Sequence, residues 1–153
     1  MSHIIIEGPD GAGKTALALT LCKSLSMGYH HEGPPPANID RYGHYMSVLR
    51  SFEQSTVIDR FHLGEAIYGP LLRGGSGLAP AQIIAINQKI IREGGRIIVC
   101  LPPWEICLEN NRRKWNQELI QSEIMLRAAY DAWSVLVRNT ELFVGRIYDY
   151  AAQ

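Results

Sequence analysis

Hydrophobic residues along this chain gather into short runs, separated by longer stretches with helical spacing. Five runs read as strands: His3 to Glu7, Met27 to His31, Thr56 to Asp59, Arg96 to Leu101 and Arg146 to Tyr148. Ile4-Ile5-Ile6 and Ile97-Ile98-Val99 are β-branched and continuous rather than alternating. That is the pattern of strands covered on both faces, as in a parallel sheet. Helices are predicted from Lys14 to Ser26, from Ala79 to Glu93 and from about Gln117 to Asn139. In the second of these, Ile83, Ile86 and Ile90 share a face and Gly94-Gly95 stops the helix. Gly33-Pro34-Pro35-Pro36 and Gly74-Gly75-Ser76-Gly77 read as loops. Strands alternating with helices predict an α/β fold, a three-layer sandwich around a five-stranded parallel sheet.

Composition narrows the class. The 153 residues fit one domain, spanning 1–153, and 46% hydrophobic with 20% charged residues is a globular balance. Zero formal net charge argues against nucleic acid or a membrane surface as partner. No apolar stretch approaches the roughly 20 residues that span a bilayer, and no basic region followed by an apolar run opens the chain. The expectation is a soluble cytoplasmic protein. Three cysteines are too few for a disulfide scaffold, and Cys22 and Cys100 sit in apolar surroundings; the five histidines show no ligand spacing.

The candidate chemistry begins at Gly8-Pro9-Asp10-Gly11-Ala12-Gly13-Lys14-Thr15, a full match to G-x-x-x-x-G-K-[ST]. Glycines admit positive φ and turn backbone N–H groups inward as an anion nest. Lys14 reaches the β- and γ-phosphates, the Thr15 hydroxyl coordinates Mg²⁺, and the helix opening near Gly13 adds its dipole. The match arises by chance in roughly one chain of this length in a few hundred, and here it follows a buried strand and opens a helix. The pattern therefore predicts a P-loop NTPase fold binding Mg-ATP through Gly8, Asp10, Gly11, Ala12, Gly13, Lys14 and Thr15. A second pair, Asp59-Arg60, ends the strand Thr56 to Asp59 at the sheet edge where α/β folds bind ligands. Asp59 is a candidate for holding Mg²⁺, and Arg60 for clamping an anionic acceptor; the same pair is also what a plain strand-end salt bridge looks like.

The stretch Ile4 to Thr15 resembles the opening of thymidylate kinases, in which a strand runs into Glu-Gly-x-Asp-Gly-Ala-Gly-Lys and then Ser or Thr. The resemblance continues at Asp59-Arg60-Phe61, similar to that family's Asp-Arg-Tyr, at Tyr68, in the place of its Ala-Tyr-Gln tyrosine, and more loosely at His31-Glu32-Gly33-Pro34, at Arg41-Tyr42 and at Pro102-Pro103-Trp104-Glu105. It implies a nucleoside monophosphate kinase-like chain that phosphorylates a deoxynucleoside monophosphate, thymidylate favoured, with ATP and Mg²⁺. Carried over by position, Asp10 contacts the acceptor sugar, Arg60 and Arg41 hold its phosphate, and Tyr68 packs where a 2′-hydroxyl would lie. Arg41 also reads as a solvated helix charge, and Tyr68 as core. The chain is shorter than a usual family member, carries Gly69 where the family has Gln, and has Glu118-Leu119 where a lid arginine is expected. His62 to Pro70 looks like compact, phage-encoded relatives, which would place the protein in a host cytoplasm. A homodimer is left open.

Phosphoryl transfer is mostly positioning and charge neutralisation. The loop between Gly8 and Gly13 contains no cation, so one must come from elsewhere. Arg112-Arg113-Lys114, flanked by Trp104 and Trp115, reads as a short lid near 110–121, or else as a solvated charged face. Lys14, Asp59, Arg60, Arg112 and Arg113 are thus the candidate catalytic set, with Thr15 and Asp59 toward the metal. Two other readings stand beside the nucleotide kinase: a nucleoside or other small-molecule kinase with Asp59 as general base on a hydroxyl, and an NTP-binding switch module.

Overall fold

The computed structural model describes residues 1–114 and 122–152. The order is β1 (Ile4–Glu7), α1 (Lys14–Leu25), β2 (Gly28–His31), α2 (Arg41–Ser51), β3 (Thr56–Asp59), α3 (His62–Arg73), α4 (Pro80–Arg92), β4 (Arg96–Cys100), α5 (Trp104–Arg113), α6 (Glu123–Leu136) and β5 (Arg146–Tyr148), closed by a 3₁₀ turn at Tyr150–Ala152. All five strands are parallel, in the order β2-β3-β1-β4-β5. The five strands expected from the sequence are these five, each end within one residue.

Strand alternation divides the core. Ile5, Ile58, Ile97 and Val99 face one hydrophobic layer, built with α2, α3, α4 and α6 around the fully buried Trp133. Ile6, Val57 and Cys100 face the other, under Ala18, Leu17 and Leu21 of α1 and Cys107 of α5. Helices therefore cover both faces, giving the three layers.

Helices α1 and α4 match expectation to within a residue at each end. Helix α6 starts at Glu123, with Ser122 as N-cap accepting from the Met125 N–H at 3.5 Å, and ends at Leu136, three residues before the expected Asn139. The expected start near Gln117, with Trp115, Glu118 and Leu119 of the expected lid, lies outside the described residues. The sequence had not delimited α2 and α3. Helix α3 carries Gly64, Gly69 and an internal Pro70, residues that ordinarily argue against helix. Gly69 is required here: a Cβ would lie 2.8 Å from Gly75 O and from Ser76 Cα, so the family's glutamine has no room.

Because β1 lies between β3 and β4, the loops after β1 and β3 leave the same sheet edge side by side. Both sequence motifs are brought to one crevice by topology alone.

Candidate functional site

The loop from Gly8 to Gly13 takes the shape its glycines permit. Gly8, Gly11 and Gly13 all have left-handed φ values, of 141°, 79° and 85°. Gly8 has a second reason to be glycine, since a Cβ there would sit 2.3 Å from the Cys100 carbonyl oxygen of β4. Lys14 opens α1 and is buried; its Nζ donates to Pro9 O at 2.7 Å, bending the side chain back over the loop. Burial, then the Arg60 charge, push its pKa down, while Asp10 and Asp59 work in the other direction. Beneath the loop, Cys100 and Cys107 are free thiols that burial pushes up to about 11 and about 12, so they remain protonated packing groups.

Asp59 is fully buried at the end of β3, and its Oδ2 accepts from Thr15 Oγ1 at 2.8 Å and from Tyr29 OH at 2.9 Å. Its other oxygen, Oδ1, is buried with no hydrogen-bond partner among the described residues. A hydroxyl beside a carboxylate with a spare buried oxygen is a hard-cation donor set, so Thr15 and Asp59 fit Mg²⁺. Arg60, the next residue, has φ 71°, a left-handed conformation unusual for a non-glycine residue. Its N–H donates to Ile6 O at 2.9 Å and its Nη2 to Asp10 Oδ1 at 3.0 Å, tying the end of β3 to the phosphate loop.

Two cavities flank this junction. One, of about 530 Å³, lies along Gly11 to Thr15 and is walled by Asn110, Arg113, Lys114 and Tyr150. The Tyr150 ring sits where a Cβ on Gly13 would meet it at 3.2 Å, and Asn110 Nδ2 donates both to Gly11 O and to the Tyr150 hydroxyl. The other, of about 360 Å³, lies between the Glu32–Pro35 loop, α2 and α3, with Glu7, Tyr45, Tyr68, Arg73 and Trp133 on its wall. Arg60 lines both.

The candidate residues distribute as follows. Lys14, Thr15, Asp59, Arg60 and Asp10 converge at the loop. Asp10 is buried with its carboxylate toward Arg60. Tyr68 faces the smaller cavity and packs edge-on against Trp133, whose Nε1 donates to the tyrosine oxygen at 3.4 Å, so it is core and cavity wall at once. Arg41 is held by Glu65 at 3.0 Å, so it is neither a solvated charge nor a free clamp. The arginine lining that end is Arg73, also paired with Glu65. Arg113 faces the larger cavity, whereas Arg112 turns to Glu123 of α6 at 2.7 Å. Glu7, Glu65, Arg73, Trp133 and Tyr150 were not singled out by the sequence. Each acquires its place through contacts across many tens of residues, apart from the helical spacing of Glu65 and Arg73.

No protein-family model matches the chain. A stretch of 64 residues is 33% identical to the Holliday junction branch migration complex subunit RuvB of Pseudothermotoga lettingae, covering 40% of this chain and 18% of that one. Among solved structures, the YorR protein of Bacillus subtilis in complex with phosphorylated GDP is similar with a TM-score of 0.76 and 18% identity, over 97% of this chain and 85% of that one. Deoxyadenosine kinase from M. mycoides with bound dATP is similar with a TM-score of 0.64 and 14% identity, over 97% and 91%. The same enzyme with dCMP and a flexible dCDP gives 0.60 and 14%, over 96% and 90%. These likenesses establish the fold, which is shared with P-loop kinases. Among the described residues no helix is long and apolar enough to cross a membrane.

Proposed function

We propose that this chain is a Mg-ATP-dependent phosphotransferase acting on a small nucleotide-like acceptor, with a deoxynucleoside monophosphate as the acceptor class and thymidylate as its favoured member. The observation that carries the reading is the pair of cavities meeting at Arg60. A module that only hydrolyses NTP has no use for a second cavity across from its phosphate loop. A kinase needs both, with one cation able to reach the γ-phosphate from either side.

In this reading the nucleotide triphosphate lies along Gly11 to Thr15, held by backbone N–H groups and Lys14. Mg²⁺, held by Thr15 and Asp59, supplies neutralisation of phosphate charge. An oxygen of the acceptor attacks the γ-phosphorus, and the bond to the β–γ bridging oxygen breaks, leaving ADP. Arg60 stabilises the charge spread over the transferring group. The support from similar structures is of one kind: YorR holds a phosphorylated GDP, and the deoxyadenosine kinase holds dATP, dCMP or dCDP.

One observation favours the hydroxyl-acceptor alternative. The smaller cavity is lined by three carboxylates, Glu7, Glu32 and Glu65, against the two arginines Arg60 and Arg73. That balance suits an uncharged nucleoside better than a dianion. In that case the base is Glu32 rather than Asp59, because Glu32 lines the smaller cavity and Asp59 does not. Purified protein with Mg-ATP, offered every nucleoside and nucleoside monophosphate in ribo and deoxy forms, decides between them. Deoxynucleoside diphosphate as product supports the first reading and deoxynucleoside monophosphate the second. ATP turnover independent of any acceptor defeats both.

A further inference from the structure

Glu7 is the last residue of β1, lies one residue before the phosphate loop, and is 2% exposed. Its carboxylate accepts three backbone N–H bonds from the far side of the chain: Oε1 from Phe61 and Gly64 at 2.9 Å each, and Oε2 from Leu63 at 2.6 Å. These donors open α3. The first N–H groups of any helix lack partners within it, and Phe61, at the N-cap of α3, provides no side-chain cap. Glu7 is therefore the cap of α3, delivered from a strand 54 to 57 residues away. A negative carboxylate at a helix N-terminus is also favoured by the helix dipole.

Helix α3 is one wall of the smaller cavity, through Gly64, Glu65 and Tyr68, and Glu7 reaches that cavity itself. One buried side chain thus joins the root of the phosphate loop to the wall of the acceptor cavity. Burial pushes the carboxyl up to about 7, while the three N–H bonds and then Lys14 draw it down. Tyr45 and Tyr68 also face its charge. An amide or an apolar side chain would fill the place at lower desolvation cost, so a carboxylate here implies that the three bonds matter.

We propose that Glu7 is a positioning residue for the acceptor half of the site: by clamping the first turn of α3 to the end of β1, it sets where Tyr68 and Glu65 stand relative to the phosphate loop. This rests on the kinase reading, in which the smaller cavity takes the acceptor. A cap with only a structural role would affect ATP and acceptor alike. A positioning role weakens the acceptor selectively.

The test is Glu7→Gln, near-isosteric, with one carboxylate oxygen replaced by an NH₂ that cannot accept. Hydrogen exchange of the 61–64 amides is followed alongside steady-state kinetics in each substrate. The expected result is faster exchange at 61–64, an acceptor KM raised tenfold or more, and an ATP KM within twofold of the parent. Unchanged exchange overturns the proposal, as does faster exchange with both KM values unchanged or raised equally. If parent protein turns over no acceptor, the kinase reading fails and the proposal with it; active parent with an indifferent variant sinks the proposal alone. Should Glu7→Gln not fold, Gly64→Ala decides. Its added Cβ would lie 3.1 Å from Glu7 Oε1, close enough that the carboxylate must give by a few tenths of an ångström; the same pattern at several-fold smaller size is expected, and no acceptor effect overturns the proposal.

Discussion

His62 shows how a single side chain links burial to pH. It is fully buried at the start of α3, and its Nε2 lies 2.6 Å from Asn87 Oδ1. Asn87 donates its amide to Leu142 O at 2.8 Å, which fixes the oxygen toward the histidine. Nε2 therefore carries the proton, and Nδ1 is a buried nitrogen with no partner among the described residues. Protonating Nδ1 would create a buried charge and an N–H without an acceptor, and burial accordingly lowers the pKa from 6.5 to about 4. A depressed folded pKa means that the unfolded chain binds the proton first. The contribution is complete above about 6.5 and is lost as pH falls toward 4, amounting to about 3 kcal/mol. Urea unfolding of parent and His62→Gln from pH 7 to pH 4 should show the stability difference between them shrinking by about that amount on acidification. A pH-independent difference would mean His62 is not held neutral. Lys14 belongs to the same scale: Lys14→Ala should fold, yet lose about 100-fold or more in kcat, because its charge serves the transition state. Near-parental kcat in a folded variant would remove the loop from the mechanism. The Lys14 assignment was legible in the sequence because the motif is local. His62 was not, since nothing nearby marks a histidine that pairs with residue 87.

At the scale of elements, legibility followed the source of each element's stability. Strands β1, β3 and β4 announce themselves through β-branched residues because they lie inside the sheet and are covered on both faces. Helix α3 hides, since Gly64, Gly69 and Pro70 speak against helix locally, while the Glu7 cap and the 75–76 loop that require the glycines act from elsewhere. The arginines after β4 sit between these cases. Spacing alone says that Arg112 and Arg113 point about 100° apart on a helix; the structure assigns their directions. Arg113 lies on the wall beside the phosphate loop, its Nη2 2.5 Å from the exposed Glu109, while Arg112 bridges α5 to Glu123 of α6. Exposed ion pairs are worth about 1 kcal/mol or less, so Arg113 can leave Glu109 for a phosphate at little cost. Arg113→Ala should lower kcat/KM for ATP at least tenfold, whereas Arg112→Ala should stay within about threefold. Equal losses would mean that both act, or neither, and the assignment by direction would fall.

The whole molecule makes one further commitment, that its two cavities share a phosphate path. The parallel order β2-β3-β1-β4-β5 puts the phosphate loop and the Asp59-Arg60 turn next to each other, and Arg60 lines both cavities. That convergence follows from topology, which alternation of strands and helices foretold, but the cavities themselves depend on Trp133, Tyr150 and other residues that no local pattern marks. If the path is continuous, a ligand with adenosine and a deoxynucleoside joined through a phosphate bridge should occupy both cavities at once. Its second half then binds from an effective concentration in the millimolar range, which for a second site with a Kd of about 10 μM adds about 100-fold to affinity without any new contact. Thermal unfolding reads this directly, because a ligand that binds only the folded state raises stability with the ratio of its concentration to Kd. The bridged ligand should raise Tm more than ATP and the free deoxynucleotide together at equal concentration. Arg60→Ala should remove most of that excess while lowering the shift from ATP alone by less, since ATP keeps the loop N–H groups and Lys14 whereas the bridge depends on the cation that lines both cavities. A bridged ligand that stabilises no better than ATP would show that the cavities do not share a path, and the two-substrate reading of the site would have to be abandoned.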